Sequence, residues 1–164
     1  MSTAAAGVRP ASRGRWARTR VPGDGQPLFA YGTLRFPEVL GELIGRTPDS
    51  EPATLAGARP AALPGRNYPG LVTAPDTVTE GFLLGGLTAD EWRILDAFED
   101  DEYELRPVSV HAGDRELYAW TYAWTAPVLA ETWSATRFVT VELPGYQAKC
   151  AAWRRDLVLL SETV

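Results

Sequence analysis

One cysteine and one histidine stand among 164 residues, and those two scarcities narrow the possible chemistry at once. With Cys150 alone no intramolecular disulfide can form, which fits a reducing, cytoplasmic setting. With His111 alone there is no histidine metal cluster, and a hydrolase triad would have to use that one imidazole as its base. His111 precedes the turn Ala112-Gly113-Asp114 with no second ligand type beside it, so it reads as an exposed turn residue. No run is long and apolar enough to span a membrane. The first residues lack the apolar middle of a secretory signal, so export is not expected. No phosphate-cradling glycine pattern and no internal repeat occurs.

Charge is unevenly placed. Residues 1–26 hold Arg9, Arg13, Arg15, Arg18 and Arg20 against Asp24, a net +4, which leaves −9 on the remainder of a chain whose total is −5. An acidic body argues against a nucleic-acid partner. The Gly/Pro/Ala/Arg-rich start has no apolar periodicity, so residues 1–26 read as a disordered basic extension and 27–164 as a single domain. At 45% hydrophobic content, that length can bury a sizeable core.

Leu28-Phe29-Ala30-Tyr31 runs straight into Gly32, as a buried strand ending in a tight turn does. Apolar on both faces, it suits the centre of a sheet. Glu38 to Ile44 has helical spacing and Gly45 is a good stop. Ala53 to Arg59, Leu71-Val72 and Val78 to Leu84 read as strands, with Gly81 marking a bulge or a close backbone approach. Leu63 to Gly70 is a loop by composition. Arg106 to His111 and Arg115 to Trp124 alternate as strands. The second places Tyr118, Trp120, Tyr122 and Trp124 on one face, an aromatic row that normally fills a core. Thr132 to Val141 and Tyr146 to Leu160 are predicted helices parted by Leu143-Pro144-Gly145. Cys150, Trp153, Leu157 and Leu160 form a stripe on the second, and Cys150 has no base nearby to make it a nucleophile.

Thr88 to Phe98 is the clearest helix, opened by a Thr88/Glu91 capping box. Stepping about 100° per residue from Trp92 puts Glu99 inside the apolar arc, between Leu95 and Trp92, with Asp96 at its edge. A carboxylate there is either partnered or has a raised pKa, unless it snorkels to solvent at the helix end. Asp100, Asp101 and Glu102 follow in what reads as a fraying, solvated loop. Tyr103 can reach back over a pocket, or be half-buried with its hydroxyl in water. Tyr68, in the Pro/Gly-rich loop, is either a pocket rim or a cover for the core edge. The Gly32 turn either simply ends the strand or gathers backbone N–H groups around Gly32, Thr33 and Leu34, an arrangement suited to a carboxylate.

Tyr31-Gly32-Thr33-Leu34, followed in order by Pro37-Glu38-Val39-Leu40, Gly45-Arg46, Tyr68-Pro69, Glu80-Gly81, Leu95-Asp96-Ala97-Phe98-Glu99 and Tyr103, resembles the γ-glutamylcyclotransferase-like family, and its AIG2-like branch in particular. The resemblance implies an α+β fold, a small mixed barrel-like sheet with a few flanking helices. It implies Glu99 as the catalytic acid/base, with Tyr31, Gly32, Thr33, Leu34, Tyr68 and Tyr103 around the substrate. The implied reaction is cyclisation of a γ-glutamyl group to 5-oxoproline with release of an amine, and it calls for no metal or organic cofactor. Two other classes stay open on the residues: a non-catalytic binding protein on the same scaffold, and a hydrolase with His111 as base.

Overall fold

The computed structural model describes residues 22–162, with side chains as far as Leu157. Residues 1–21 of the basic extension lie outside the described residues. Residues 22–26, assigned above to that extension, are instead tied into the domain. Gly25 N–H donates to Leu87 O at 2.7 Å, and Asp24 Oδ1 accepts from Ala89 N at 2.6 Å. A carboxylate at the first amides of a helix satisfies donors the helix cannot use itself, which draws the boundary towards the N-terminus.

Five strands close into a barrel: β1 (Leu28–Ala30), β2 (Asp49–Ala61), β3 (Gly70–Gly85), β4 (Tyr103–Ala112) and β5 (Arg115–Trp124). Their order around the wall is β1-β3-β2-β4-β5, mixed in sense. β1 is antiparallel to β3 at Ala30 and Phe82, and parallel to β5 at Leu28 and Trp120. The two strand runs read within residues 70–85 are one strand. Register along β2 jumps from Ala56–Val78 to Ala58–Thr73, so residues 74–77 have no partner in the ladder. Gly57 (φ 81°) and Asp76 (φ 65°) supply the left-handed backbone that this bulge requires. At Gly81 the expected close approach is present: a Cβ would stand 2.5 Å from Ala30 O on the neighbouring strand.

Alternation sorts the side chains into two layers. Phe29, Tyr31, Leu55, Leu83, Val110 and Ala119 fill the barrel interior. Leu28, Ala30, Leu84, Tyr122 and Trp124 face outward into a second cluster shared with helices and, at Trp124, with the loop before β3. The central position read for β1 follows, since both its faces are buried. The aromatic row of β5 divides. Tyr122 and Trp124 join the core and Trp120 packs partly against it, whereas Tyr118 is 82% exposed.

Helix α1 (Pro37–Ile44) ends at Gly45 in the left-handed conformation, φ 76°. Helix α2 (Ala89–Phe98) carries the predicted capping box, with Glu91 N donating to Thr88 Oγ1 at 3.1 Å and Thr88 N to Glu91 Oε1 at 3.0 Å. At the C-terminal end the predicted break does not occur. A short helix α3 (Ala135–Arg137) passes through a π-helical turn (Phe138–Glu142) into helix α4 (Leu143–Glu162). Pro144 has no N–H and crowds the carbonyl four residues back. The wider turn, in which Leu143 N–H reaches Phe138 O, opens the ladder just ahead of it. Cys150 is fully buried on α4; the side chain of Leu160 lies outside the described residues.

Candidate functional site

Beyond β1 the backbone leaves the sheet at Tyr31 and Gly32 and makes a single 3₁₀ turn, Thr33–Arg35. That turn's own hydrogen bonds begin with Arg35 N to Gly32 O at 3.1 Å and Phe36 N to Thr33 O at 3.3 Å. They leave the amides of Gly32, Thr33 and Leu34 unused by the turn itself. Gly32 has a negative φ of −111°, so its freedom to adopt a left-handed backbone is not what places it there. Proximity is: a Cβ would lie 2.9 Å from Pro69 Cγ. The glycine lets the loop before β3 pack directly on the turn.

Glu99 follows α2 immediately. Its amide still donates to Leu95 O at 3.2 Å, but its own backbone is extended, so it caps the helix instead of sitting on the wheel. The side chain is buried all the same, with Glu99 only 6% exposed. Glu99 lines one small cavity together with Tyr31, Gly32, Thr33, Leu34, Pro69, Tyr103 and Tyr122. The strand end, the glycine turn and the helix end thus meet at one place. The cavity's volume is about 30 Å³, room for roughly two waters.

Phenols surround this carboxylate. Tyr31 donates to Tyr122 O at 2.5 Å and accepts from Leu71 N at 3.1 Å, which seals the end of the barrel. Tyr103 donates to Pro69 O at 2.5 Å and so holds the loop wall in place. Tyr146, on α4, shares a hydrogen bond with Thr33 Oγ1 at 3.2 Å. Burial pushes all three hydroxyls well above the ordinary tyrosine value, and the charge of Glu99 adds to each shift. They therefore remain protonated donors at any physiological pH. The thiol of Cys150 is pushed up to about 12, by burial first and Glu99 second, and is no nucleophile at neutral pH. Among the described residues no group of three His, Cys, Asp or Glu side chains could hold a metal.

Tyr68 does not line the cavity. It is buried behind the Pro69 wall, its hydroxyl donating to Asp100 Oδ2 and accepting from Arg66 Nε at 3.1 Å. Asp100 is not the solvated loop residue the sequence predicts, and Glu102 is only partly exposed. Asp100 is 1% exposed, and Arg66 lies 3.7 Å from Asp100 and 3.4 Å from Glu102, with its guanidinium over the Trp124 ring. The loop before β3 supplies the cation and phenol that make burial of Asp100 affordable. His111 is exposed on β4, away from Glu99, as expected. Sequence reasoning missed Tyr122 and Tyr146. Tyr122 stood in the aromatic row, and Tyr146 lies four residues before Cys150, one turn up the same helical stripe.

The sequence profile of the family described as gamma-glutamyl cyclotransferase, AIG2-like, matches residues 28–137. AIG2-like protein D of Arabidopsis thaliana is 34% identical over 138 residues, covering 80% of this chain and 91% of that one. AIG2-like protein C of the same plant is 40% identical over 99 residues, 59% of this chain and 58% of that protein. A solution structure of an Arabidopsis thaliana protein superposes with a TM-score of 0.60 at 30% identity, over 76% of this chain and 87% of the other. A second, at 23% identity, shares the fold with a TM-score of 0.62 over 88% of both. The chain belongs to the γ-glutamyl cyclotransferase, AIG2-like family, and its closed five-stranded mixed barrel with flanking helices is that family's α+β fold.

Proposed function

We propose that the protein is a γ-glutamylcyclotransferase that acts on a small γ-glutamyl amine, amino acid or peptide. In this reading the substrate's α-amino nitrogen attacks its own γ-carbonyl carbon. The tetrahedral intermediate collapses by breaking the bond to the leaving nitrogen. The products are 5-oxoproline and the free amine. Nucleophile and electrophile share one molecule, so holding them in a near-attack geometry supplies much of the acceleration.

What remains is proton transfer. The α-ammonium must lose a proton before its nitrogen can attack, and the leaving nitrogen must gain one. Glu99 serves both steps, as base and then as acid. The amides of Gly32, Thr33 and Leu34 hold the α-carboxylate or the developing oxyanion. Protonated Tyr31 and Tyr103 fix the walls around them. One observation carries this reading: Glu99, 6% exposed, lines the same cavity as the Tyr31–Leu34 turn.

The test is a panel of γ-glutamyl amines, amino acids and dipeptides incubated with the protein, with 5-oxoproline release followed by mass spectrometry. Release from at least one member well above the uncatalysed rate is expected. If several bind and none is cyclised, the protein is a binding module on this scaffold.

A further inference from the structure

A groove lies on the outer wall of the barrel, where β3, β2 and β4 run side by side. Thr54 is the register partner of Glu80 on one side and of His111 on the other, so the three side chains form a row across three strands. Pro52 and Phe82 pair in the adjoining row. Together with Arg35 they line an open groove of about 460 Å³. That volume falls within the usual range for small-molecule sites, roughly 300–1,000 Å³, and is far larger than the Glu99 cavity. The two share no lining residue.

Among the described residues the charges in the groove are uncommitted. Arg35 is half-buried, its guanidinium 5.2 Å from the centre of the Phe82 ring and 5.8 Å from that of Phe36. Stacking of this kind fixes the planar fork and leaves its N–H donors for a carboxylate. Among the described residues Arg35 has no ion pair or side-chain hydrogen bond, and the same holds for Glu80. Two exposed arginines elsewhere on the surface are, by contrast, paired: Arg46 with Glu91 at 2.6 Å and Arg115 with Glu51 at 2.5 Å. Arg35 and Glu80 feel one another electrostatically without touching. Opposite charges held apart across an aromatic floor match a ligand that itself carries both signs close together. A purely anionic ligand would meet Glu80 and the acidic body of the domain. A purely cationic one would meet Arg35. A net-neutral zwitterion meets neither penalty.

We infer that this groove is a binding site for a small zwitterion of the α-amino acid class, its carboxylate on Arg35 and its ammonium on Glu80. The site does not depend on the chemistry assigned to Glu99. If that chemistry holds, a released amino acid is one member of the class.

His111 is the chain's one histidine, so its imidazole signals in proton NMR report on this groove without background. The full-length protein is titrated at neutral pH with pH-adjusted L-alanine, acetate, methylamine and inorganic phosphate in turn. L-Alanine should shift the His111 signal saturably below about 50 mM, as a millimolar site requires. Acetate and methylamine should bind about tenfold or more weakly. Arg35→Gln and Glu80→Gln should each weaken the L-alanine response by about tenfold, the loss of one charge-assisted contact. Glu99→Gln should leave it unchanged. Circular dichroism checks that each variant is folded. The inference is overturned by a linear, non-saturating response to L-alanine, by an unchanged response in either groove variant, by loss of the response in Glu99→Gln, or by phosphate binding as tightly as L-alanine.

Discussion

Gly32 illustrates how one missing side chain sets the site. Its backbone needs no left-handed conformation; what it needs is the space occupied by Pro69. A methyl group at this position must push the Pro69 ring outwards, and Pro69 is a wall of the cavity. Overpacking of this kind costs about 1–3 kcal/mol. Gly32→Ala should therefore lower Tm by several degrees and raise KM for the γ-glutamyl substrate. Thermal unfolding and steady-state kinetics on the same preparation check both. Unchanged values would mean that the loop yields freely and that the contact does not shape the site.

At the scale of elements, the site is a meeting of three pieces distant in sequence. The loop before β3 is pinned to the end of α2 by Tyr68, Arg66 and Asp100. Asp100→Asn removes the negative charge from beside a guanidinium whose side chain is only 6% exposed. The expected loss is about 1–3 kcal/mol in urea unfolding, and a change under about 0.5 kcal/mol, the scale of an ordinary surface substitution, would contradict the network. Helix α4 is tied to the glycine turn by the Tyr146–Thr33 hydrogen bond. Tyr146→Phe keeps the ring packed against Phe98 and Phe138 and removes only the hydroxyl, for about 1 kcal/mol or less of stability. Turnover should fall, and combining it with Thr33→Val should add little, because both remove one interaction. Full additivity would show that the two groups act separately.

These elements were unequally legible. The capping box of α2 and the stop at Gly45 could be read because each is decided within a few residues. Helical periodicity puts Glu99 on the buried arc but leaves open an escape to solvent at the helix end; the residue is buried, as a cap and not as a member of the wheel. Asp100 was misread because its partner Tyr68 lies 32 residues away and nothing local to Asp100 announces it. Tyr146 was missed for the same reason, with Thr33 at a separation of 113. The Pro144-Gly145 pair reads as a break by local rules, and only the π-helical turn ahead of it keeps the helix continuous. Local chemistry was visible in the sequence; polar networks between elements were not.

For the molecule as a whole, the buried phenols and thiol predict an alkaline weakness. Tyr31, Tyr103 and Tyr146 sit well above 10.0, and Cys150 is raised from 9.0 to about 12. The folded chain thus keeps protons that the unfolded chain releases. Stability is fully present below about pH 9 and falls as pH rises through the interval between the unfolded and folded values. Cys150 alone should account for about 1 kcal/mol by pH 10. Urea unfolding at a series of pH values should show this decline, and Cys150→Ala should make it shallower. A stability that held steady from pH 8 to pH 11 would contradict the buried, protonated state of these groups.

The central claim is that Glu99 moves the proton while the glycine turn holds the substrate. Glu99→Gln preserves side-chain size and hydrogen-bonding reach but cannot exchange a proton at neutral pH. The decisive measurement is 5-oxoproline formation by Glu99→Gln under single-turnover conditions, with substrate affinity determined on the same sample by calorimetry. The account predicts a rate lower by about 10²–10⁴-fold, the usual contribution of general acid–base catalysis, with affinity little changed. Near-native turnover in this variant would contradict it, and Glu99 would then be a buried structural carboxylate beside a site that works by other means.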